Sequence, residues 1–595
     1  MTEDEISRRR LMQLSASSVM AQRVLAGATI AAVAATDAEA ATTTVEGYIL
    51  TRLAQNGCAK LFGVAGATCS PIFDAAGGAT GVSLSVTSSD LGSGYAADGY
   101  ARVRGLGAVA VTYGVGTMSL LTAIAGAYAE RSAVVVINGG PTGDDLRLQR
   151  DYGTLYSHST GKTGSDMVMF REITAYAGRI ERASDAPRII DEAITAAKMK
   201  QRPVYIEVAK SAWRQTCPAP VESLSIAPPA FGTEDQIAGE IADMLRRAKK
   251  PAILVGIEVQ RYGLAEQTEA LIKRLGIPWS STLLAKAVIS EQTPGFAGVY
   301  GGENSSQQVI RTVEGADALL TLGCVFGRQY RRLAVNSRGK MVSVYDGSVR
   351  VKSAAAKPAS LSALVAALAK KPWTANPAWI AAAKLPGLSF DERRSGLAPA
   401  AVRAEAGLTY DEVMRTVSGV LDDKLIVITD TSLSMYPGSD INVIGRGGFM
   451  CDAVWQAIGF SVGAAVGVAV AGGRRPIAIC GDGGFQMTAQ CLSSFAREKT
   501  NAIAIVLDNG VQGIEQWILG RGYFANTTTK PKAYLEVDRW DYVGLARSLG
   551  VSFARSAATP DEFRQALADA KANTGPSFIV AAIKPHDLPA GLPSA

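Results

Sequence analysis

Two short apolar runs, each ending in a polar cluster, constrain this 595-residue chain more than any other feature. Pro476 to Cys480 (PIAIC) leads into Gly481-Asp482-Gly483-Gly484, and Ala502 to Leu507 (AIAIVL) leads into Asp508-Asn509. The stretch between them, Gln486 to Arg497, can form a helix. Short continuous apolar runs suit strands buried on both faces, and strand, helix, strand is the unit of a parallel sheet. In such sheets ligands bind beyond the carboxyl ends of the strands, so the Asp482 carboxylate and the Asn509 amide oxygen can converge on one cation. Mg²⁺ suits that donor set, because it takes oxygen ligands and completes its shell with phosphate and water. Gly483 and Gly484 remove side chains where a phosphate must approach backbone N–H groups at the start of a helix.

A Gly-Asp-Gly triplet alone reads as a turn between strand and helix. Here Asn509 follows Asp482 by 27 residues. Triplet and interval together resemble the thiamine diphosphate signature. That resemblance implies that Asp482, Asn509 and the backbone carbonyl of Val511 hold Mg²⁺ on the cofactor's diphosphate, with Gly481, Gly483 and Gly484 lining it. Other stretches follow in the order of the same family. VEGYILTRLAQNGCAKLFGVAGA, GYAADGYARVRG and AVAVTYGVGTMSLLTAIAGAYAERSAVVVINGGP resemble the pyrimidine-binding domain of 2-keto acid decarboxylases. PAILVGIEVQRYGLAEQTEALIKRLGIPW resembles the phenylpyruvate and indolepyruvate decarboxylase branch, while AVWQAIGFSVGAAVGVAV and RWDYVGLARSLGV resemble the diphosphate-binding domain of pyruvate decarboxylases.

The chain is 48% hydrophobic and 19% charged, and is too long for one core. Alternating strand-like and amphipathic helical stretches predict an α/β protein of three domains with parallel sheets flanked by helices. The expected divisions are a pyrimidine-binding domain over 41–217, a central domain over 232–370 and a diphosphate-binding domain over 400–590. Linkers are expected at Pro218 to Gly232 and Lys371 to Pro399, both weak in periodicity. A net charge of +6 without a basic block argues against nucleic acid as a partner.

Residues 1–40 read as a twin-arginine leader: Ser7-Arg8-Arg9-Arg10-Leu11-Met12, an apolar run from Val24 to Ala35, then Ala38-Glu39-Ala40 as a cleavage site. This predicts periplasmic export of a folded protein; a disordered tail on a cytoplasmic protein is the competing reading. The apolar run is too short for a membrane anchor. Seven cysteines, Cys58, Cys69, Cys217, Cys324, Cys451, Cys480 and Cys491, lack metal-ligand spacing and read as small core residues.

The family resemblance also assigns catalytic positions. Asp90, in SSDLGSGYAADGYAR, stands where the family has the glutamate that hydrogen-bonds the cofactor's aminopyrimidine; it is one methylene shorter, a retreat of roughly 1.5 Å where the reach of a hydrogen bond is about 2.6 to 3.2 Å. The competing reading is a cap on a helix starting near Ser93. Glu515, in GVQGIEQWI, matches the glutamate placed near the substrate carboxylate, with Ile514 and Ile518 at helical spacing beside it. Ile458, in AVWQAIGF, matches the aliphatic residue that props the cofactor into its bent form. His158 remains of a histidine pair whose first member is here Ser157, and Ala67 replaces an aspartate. His586 lies in a Pro-rich tail and carries no functional signal.

The resemblance implies a thiamine diphosphate- and Mg²⁺-dependent carboxy-lyase that converts a 2-keto acid, phenylpyruvate- or indolepyruvate-like, to an aldehyde. Fewer proton donors leave carboligation as an alternative. A non-catalytic thiamine diphosphate-binding protein is another. The family arrangement, with cofactor between subunits, implies a homodimer or homotetramer.

Overall fold

A computed structural model describes residues 41–78, 81–227, 229–383, 385–398 and 407–594. The expected leader lies outside the described residues. From Thr43 onward the chain forms one compact unit containing three principal sheets.

The first sheet comprises β1 (Lys60–Gly63), β2 (Ser83–Val86), β3 (Gly107–Thr112), β4 (Val134–Gly140), β5 (Ala177–Ile180) and β6 (Val204–Ala209), in the order β2-β1-β3-β4-β6-β5. All its pairings are parallel. The second comprises β7 (Pro251–Val255), β8 (Trp279–Thr282), β9 (Phe296–Tyr300), β10 (Ala318–Leu322), β11 (Met341–Tyr345), β12 (Ser348–Val351) and β13 (Lys357–Pro358), in the order β9-β8-β7-β10-β11-β12-β13. Its last two pairings are antiparallel. The third comprises β14 (Leu425–Thr429), β15 (Phe449–Cys451), β16 (Arg475–Gly481), β17 (Ile503–Asp508), β18 (Phe553–Ala557) and β19 (Ser577–Ala582), in the order β15-β14-β16-β17-β19-β18. It too is parallel throughout. The expected α/β class with parallel sheets is what the chain adopts.

The apolar runs explain the central strands. In β16 and β17, Ile477, Ile479, Ile503 and Ile505 are buried with one core cluster, while Ala478, Cys480, Ala504 and Val506 are buried with another. Strands buried on both faces read as unbroken apolar stretches, and each fully buried aliphatic side chain contributes about 1.5–3 kcal/mol.

The first and third sheets meet through α1 (Asp90–Arg104), which follows β2, and α3 (Phe460–Ala471), with α2 (Val115–Ala129) beside them. Small residues set this approach. A Cβ on Gly99 would stand 2.3 Å from the Ala464 carbonyl oxygen, and one on Gly467 1.8 Å from that of Ala96. All seven cysteines are free and buried, in keeping with core packing. Among the described residues no helix is long and apolar enough to cross a membrane.

Three expectations need correction. The stretch from Gln486 to Arg497 is not one helix: α4 (Asp482–Thr488) and α5 (Cys491–Arg497) are separate, and α4 begins at the Gly-Asp-Gly triplet itself. The helix near Ser93 starts at Asp90, because the Ser89 side chain caps it by accepting from the Gly92 N–H, so Asp90 is not the cap. The stretch from Lys371 to Pro399 contains two short helices, Pro377–Ala383 and Phe390–Arg394; the second carries a Ser389–Glu392 capping box, a signal that outweighs weak periodicity.

Candidate active site

In the third sheet β14 leads to β15 on one side while β16 and β17 lie on the other, so the winding reverses between β14 and β16. A crevice opens beyond the carboxyl ends of strands at such a reversal. Asp430 follows β14 there, and Asp482 follows β16.

Asp482 is the first residue of α4, after the extended N-cap Gly481. One of its carboxylate oxygens accepts from the Gly483 N–H at 2.8 Å and the other from the Gly510 N–H at 2.6 Å, which ties the two strand ends together. Burial pushes its carboxyl up to about 6, and Asp508 adds to the shift. A cation beside it would reverse that penalty. Asn509 is 2% exposed. Its Oδ1 accepts from the Val511 N–H at 3.2 Å, and its buried Nδ2 has no hydrogen-bond partner. The Gly483 position is crowded, since a Cβ there would stand 2.2 Å from Nε2 of Gln512. Among the described residues no three His, Cys, Asp or Glu side chains gather as a metal cluster. One carboxylate, one amide oxygen and the backbone of Val511 lie together here, a hard oxygen set that would suit Mg²⁺ and a diphosphate.

Ile458 is half-buried in the turn before α3. That turn lies against α4: a Cβ on Gly459 would stand 2.9 Å from the Gly484 carbonyl oxygen, and the Thr488 hydroxyl donates to the Gly459 carbonyl at 2.8 Å. Glu515 is exposed in the first turn of α6 (Gly513–Leu519), with Ile514 half-buried and Ile518 exposed on the same helix. Gly481, Asp482, Gly483, Gly484, Asn509, Val511, Ile514, Glu515 and Ile458 thus all belong to strand ends and helix starts at one edge of the third sheet.

Asp90 and His158 belong to the first sheet, whose winding reverses between β1 and β3. Beyond β3 lie Gly114, the N-cap of α2, and Gly116 in the first turn of that helix. An Asp90 carboxylate oxygen stands 3.2 Å from where a Gly116 Cβ would be, and the His158 carbonyl 2.4 Å from that of Gly114. Burial raises the Asp90 carboxyl. His158 and Ser157 are exposed, and His158 has a left-handed φ of 65°. Ala67 is exposed beyond β1. His586 stacks on Tyr523 at 4.2 Å, and its Nε2 lies 2.9 Å from the Thr529 carbonyl oxygen, a packing role.

Sequence reasoning passed over Asp430, Gln512 and Asp587. The position of Asp430 at a strand end is legible, because it stands directly after the apolar run LIVIT, much as Asp482 stands one glycine beyond PIAIC. Asp587 accepts from the Tyr410 N–H at 2.8 Å, and burial pushes its carboxyl up to about 7. An aspartate in the unfolded chain releases its proton near about 3.9. The native state therefore holds a proton across roughly pH 4 to 7 that the unfolded state has lost, and stability falls as pH rises through that window. Asp587→Asn is expected to reduce this fall, read as a smaller difference between urea midpoints at pH 5 and pH 8; an unchanged difference would contradict it.

Known proteins resemble the chain along most of its length. Residues 43–159 match the thiamine pyrophosphate enzyme N-terminal TPP binding domain, residues 238–362 the central domain and residues 438–581 the C-terminal TPP binding domain. A probable pyruvate decarboxylase of Schizosaccharomyces pombe is 30% identical over 566 residues, covering 93% of this chain and 95% of that protein. An alpha-keto-acid decarboxylase of Mycobacterium tuberculosis is 30% identical over 560 residues, 91% of this chain and 94% of its own. An indole-3-pyruvate decarboxylase of Azospirillum brasilense is 28% identical over 560 residues, 91% and 95% of the two chains.

Proposed function

This chain belongs to the thiamine pyrophosphate-dependent 2-keto acid decarboxylase family, and on that premise we propose that it removes CO₂ from a 2-keto acid bearing an aromatic side chain and releases the aldehyde, with Mg²⁺ as the metal. The observation that carries the reading is the Asp482 and Asn509 anchor: a buried carboxylate raised by desolvation beside a buried amide with an unpartnered nitrogen, at a glycine-lined helix start. Thiamine diphosphate, when bound, supplies a carbanionic thiazolium carbon and an electron sink.

The chain's own residues do the rest. Asp482, Asn509 and Val511 bind metal and diphosphate. Ile458 supports the cofactor from the α3 side. Glu515 handles protons at the substrate carboxylate, its helix neighbours Ile514 and Ile518 offering apolar contact to the substrate's side chain, and His158 is a second proton donor. Asp90 holds the cofactor's aminopyrimidine. A Cβ on Gly116 would stand 3.2 Å from an Asp90 carboxylate oxygen, so glycine there keeps the carboxylate uncrowded. Asp90→Glu is expected to raise the rate of C2 proton exchange in bound cofactor by about tenfold; an unchanged or slower rate would mean that the site is built around the shorter aspartate.

Assembly as a homodimer or homotetramer, and export by a twin-arginine leader, form part of the proposal. Light scattering of the purified protein and fractionation of the producing cell test them. The reaction itself is tested with thiamine diphosphate, Mg²⁺ and a panel of aromatic, branched and short 2-keto acids, assayed for CO₂, aldehyde and acyloin. Aldehyde with CO₂, fastest from aromatic acids, is the expected result. Acyloin as the main product, or cofactor binding without turnover, would overturn it.

A further inference from the structure

The turn that carries Ile458 is gripped by two buried carboxylates that the functional assignment does not use. On its amino-terminal side, Asp452 accepts from the Gln456 N–H at 3.3 Å with one oxygen and from the Ala457 N–H at 2.9 Å with the other. These bonds hold Gln456 at a φ of 63°, a left-handed conformation uncommon for a residue with a Cβ. On its carboxyl-terminal side, Asp430 accepts from the Gly459 N–H at 2.7 Å and from the Ser461 N–H at 3.1 Å. Ile458 is thus fixed from both directions.

Asp430 also reaches the diphosphate anchor. The oxygen that receives the Gly459 N–H lies 3.1 Å from the Cys480 thiol, at the end of β16, two residues before Asp482. The same oxygen stands 2.5 Å from where a Cβ on Gly484 would be, so glycine in α4 is what lets the carboxylate in. Asp430 is fully buried and occupies the winding reversal between β14 and β16, with the anchor strand on one side and the Ile458 turn on the other. No apolar residue could do this. The two main-chain N–H groups point into a space sealed from water, where each needs an acceptor.

We propose that Asp430 is a positioning residue that sets the spacing between the diphosphate anchor at Asp482 and the Ile458 support, and so fixes how sharply the bound cofactor is bent. Asp452 anchors the far side of the same turn. Asp430 touches neither substrate nor cofactor; it acts through the Gly459 and Ser461 backbone. The inference rests on the thiamine diphosphate reading given above.

The test is Asp430→Asn, which keeps the shape but offers one acceptor oxygen and one amino group to two N–H donors. The variant is expected to retain thiamine diphosphate and Mg²⁺ with affinity near that of the parent, because the anchor is intact. It is expected to lose the near-ultraviolet circular dichroism band of the bound aminopyrimidine and to slow C2 proton exchange by roughly a hundredfold, the penalty for about 1 Å of misplacement. In turnover kcat falls while KM holds. Ile458→Ala, which trims the support without touching the carboxylate, should reproduce the same spectrum and exchange rate. If Asp430→Asn fails to fold, Asp430→Ser, smaller and with one acceptor, is measured in its place. A variant that binds cofactor with the parent's spectrum and exchange rate would overturn the inference. Failure of the unaltered protein to bind thiamine diphosphate would instead overturn the functional reading, so the two failures are distinct.

Discussion

Asp482→Ala is expected to abolish Mg²⁺-dependent retention of thiamine diphosphate, so that protein loaded with both and passed through a desalting column emerges without cofactor. Three effects combine at this position. The substitution removes the one carboxylate among the proposed metal ligands, leaving an amide and a carbonyl that carry no charge to offset a dication. It also removes the acceptor that ties Gly483 to Gly510, and with it the tether between the start of α4 and the end of β17. Each buried N–H left without a partner costs about 1–3 kcal/mol. Against this stands the relief of a buried carboxylate whose proton affinity is raised by desolvation. That relief offsets part of the loss in the cofactor-free protein, so its thermal stability is expected to change far less than cofactor retention does. The contrast between the two readouts separates an anchor from a purely structural aspartate. Retention equal to that of the parent would sink the assignment.

How much of this was legible before the structure depends on the range of the forces involved. The strands β16 and β17 were readable because burial on both faces forces unbroken apolar residues, a local property of the chain. The Asp482 and Asn509 pairing was readable because sequence spacing across one crossover unit fixes which strand ends become neighbours. The division of the crossover into α4 and α5 was not readable: the break at Ala489 and Gln490 answers to packing, as Ser88 from the first sheet's domain donates to the Gln490 carbonyl at 2.8 Å across 402 residues. The strand-end place of Asp430 is legible, but its role is not, for a similar reason. Its partners Gly459, Ser461 and Cys480 lie 29 to 50 residues away, and nothing in LIVITD foretells that α3 will start within reach of that carboxylate. The cap on α1 could be read either way from the sequence, since Ser89 and Asp90 are both good capping residues, and only the backbone geometry decides for Ser89. Asp90 is thereby freed for chemistry.

Glu515→Gln is expected to lower kcat by roughly 10²- to 10⁴-fold, the usual contribution of a positioned proton-transfer group, with cofactor affinity and stability unchanged. The environment of Glu515 makes this a clean measurement. The residue is exposed in the first turn of α6, and its carboxylate makes no hydrogen bond or ion pair among the described residues. Removing its charge therefore breaks no fold-stabilising contact, and a surface change of this kind usually moves stability by only about 0.5 kcal/mol. A carboxylate at a helix start gains from the helix dipole, about 0.3–1 kcal/mol, which sets the largest structural effect to be expected from the substitution. Any loss of rate beyond about fivefold must then come from chemistry rather than from the fold. Glutamine keeps the size and the hydrogen-bonding reach of glutamate but cannot carry a proton to or from the reacting carbon. A kcat within about threefold of the parent's, with unaltered KM, would remove Glu515 from the proton path and leave His158 as the group to examine.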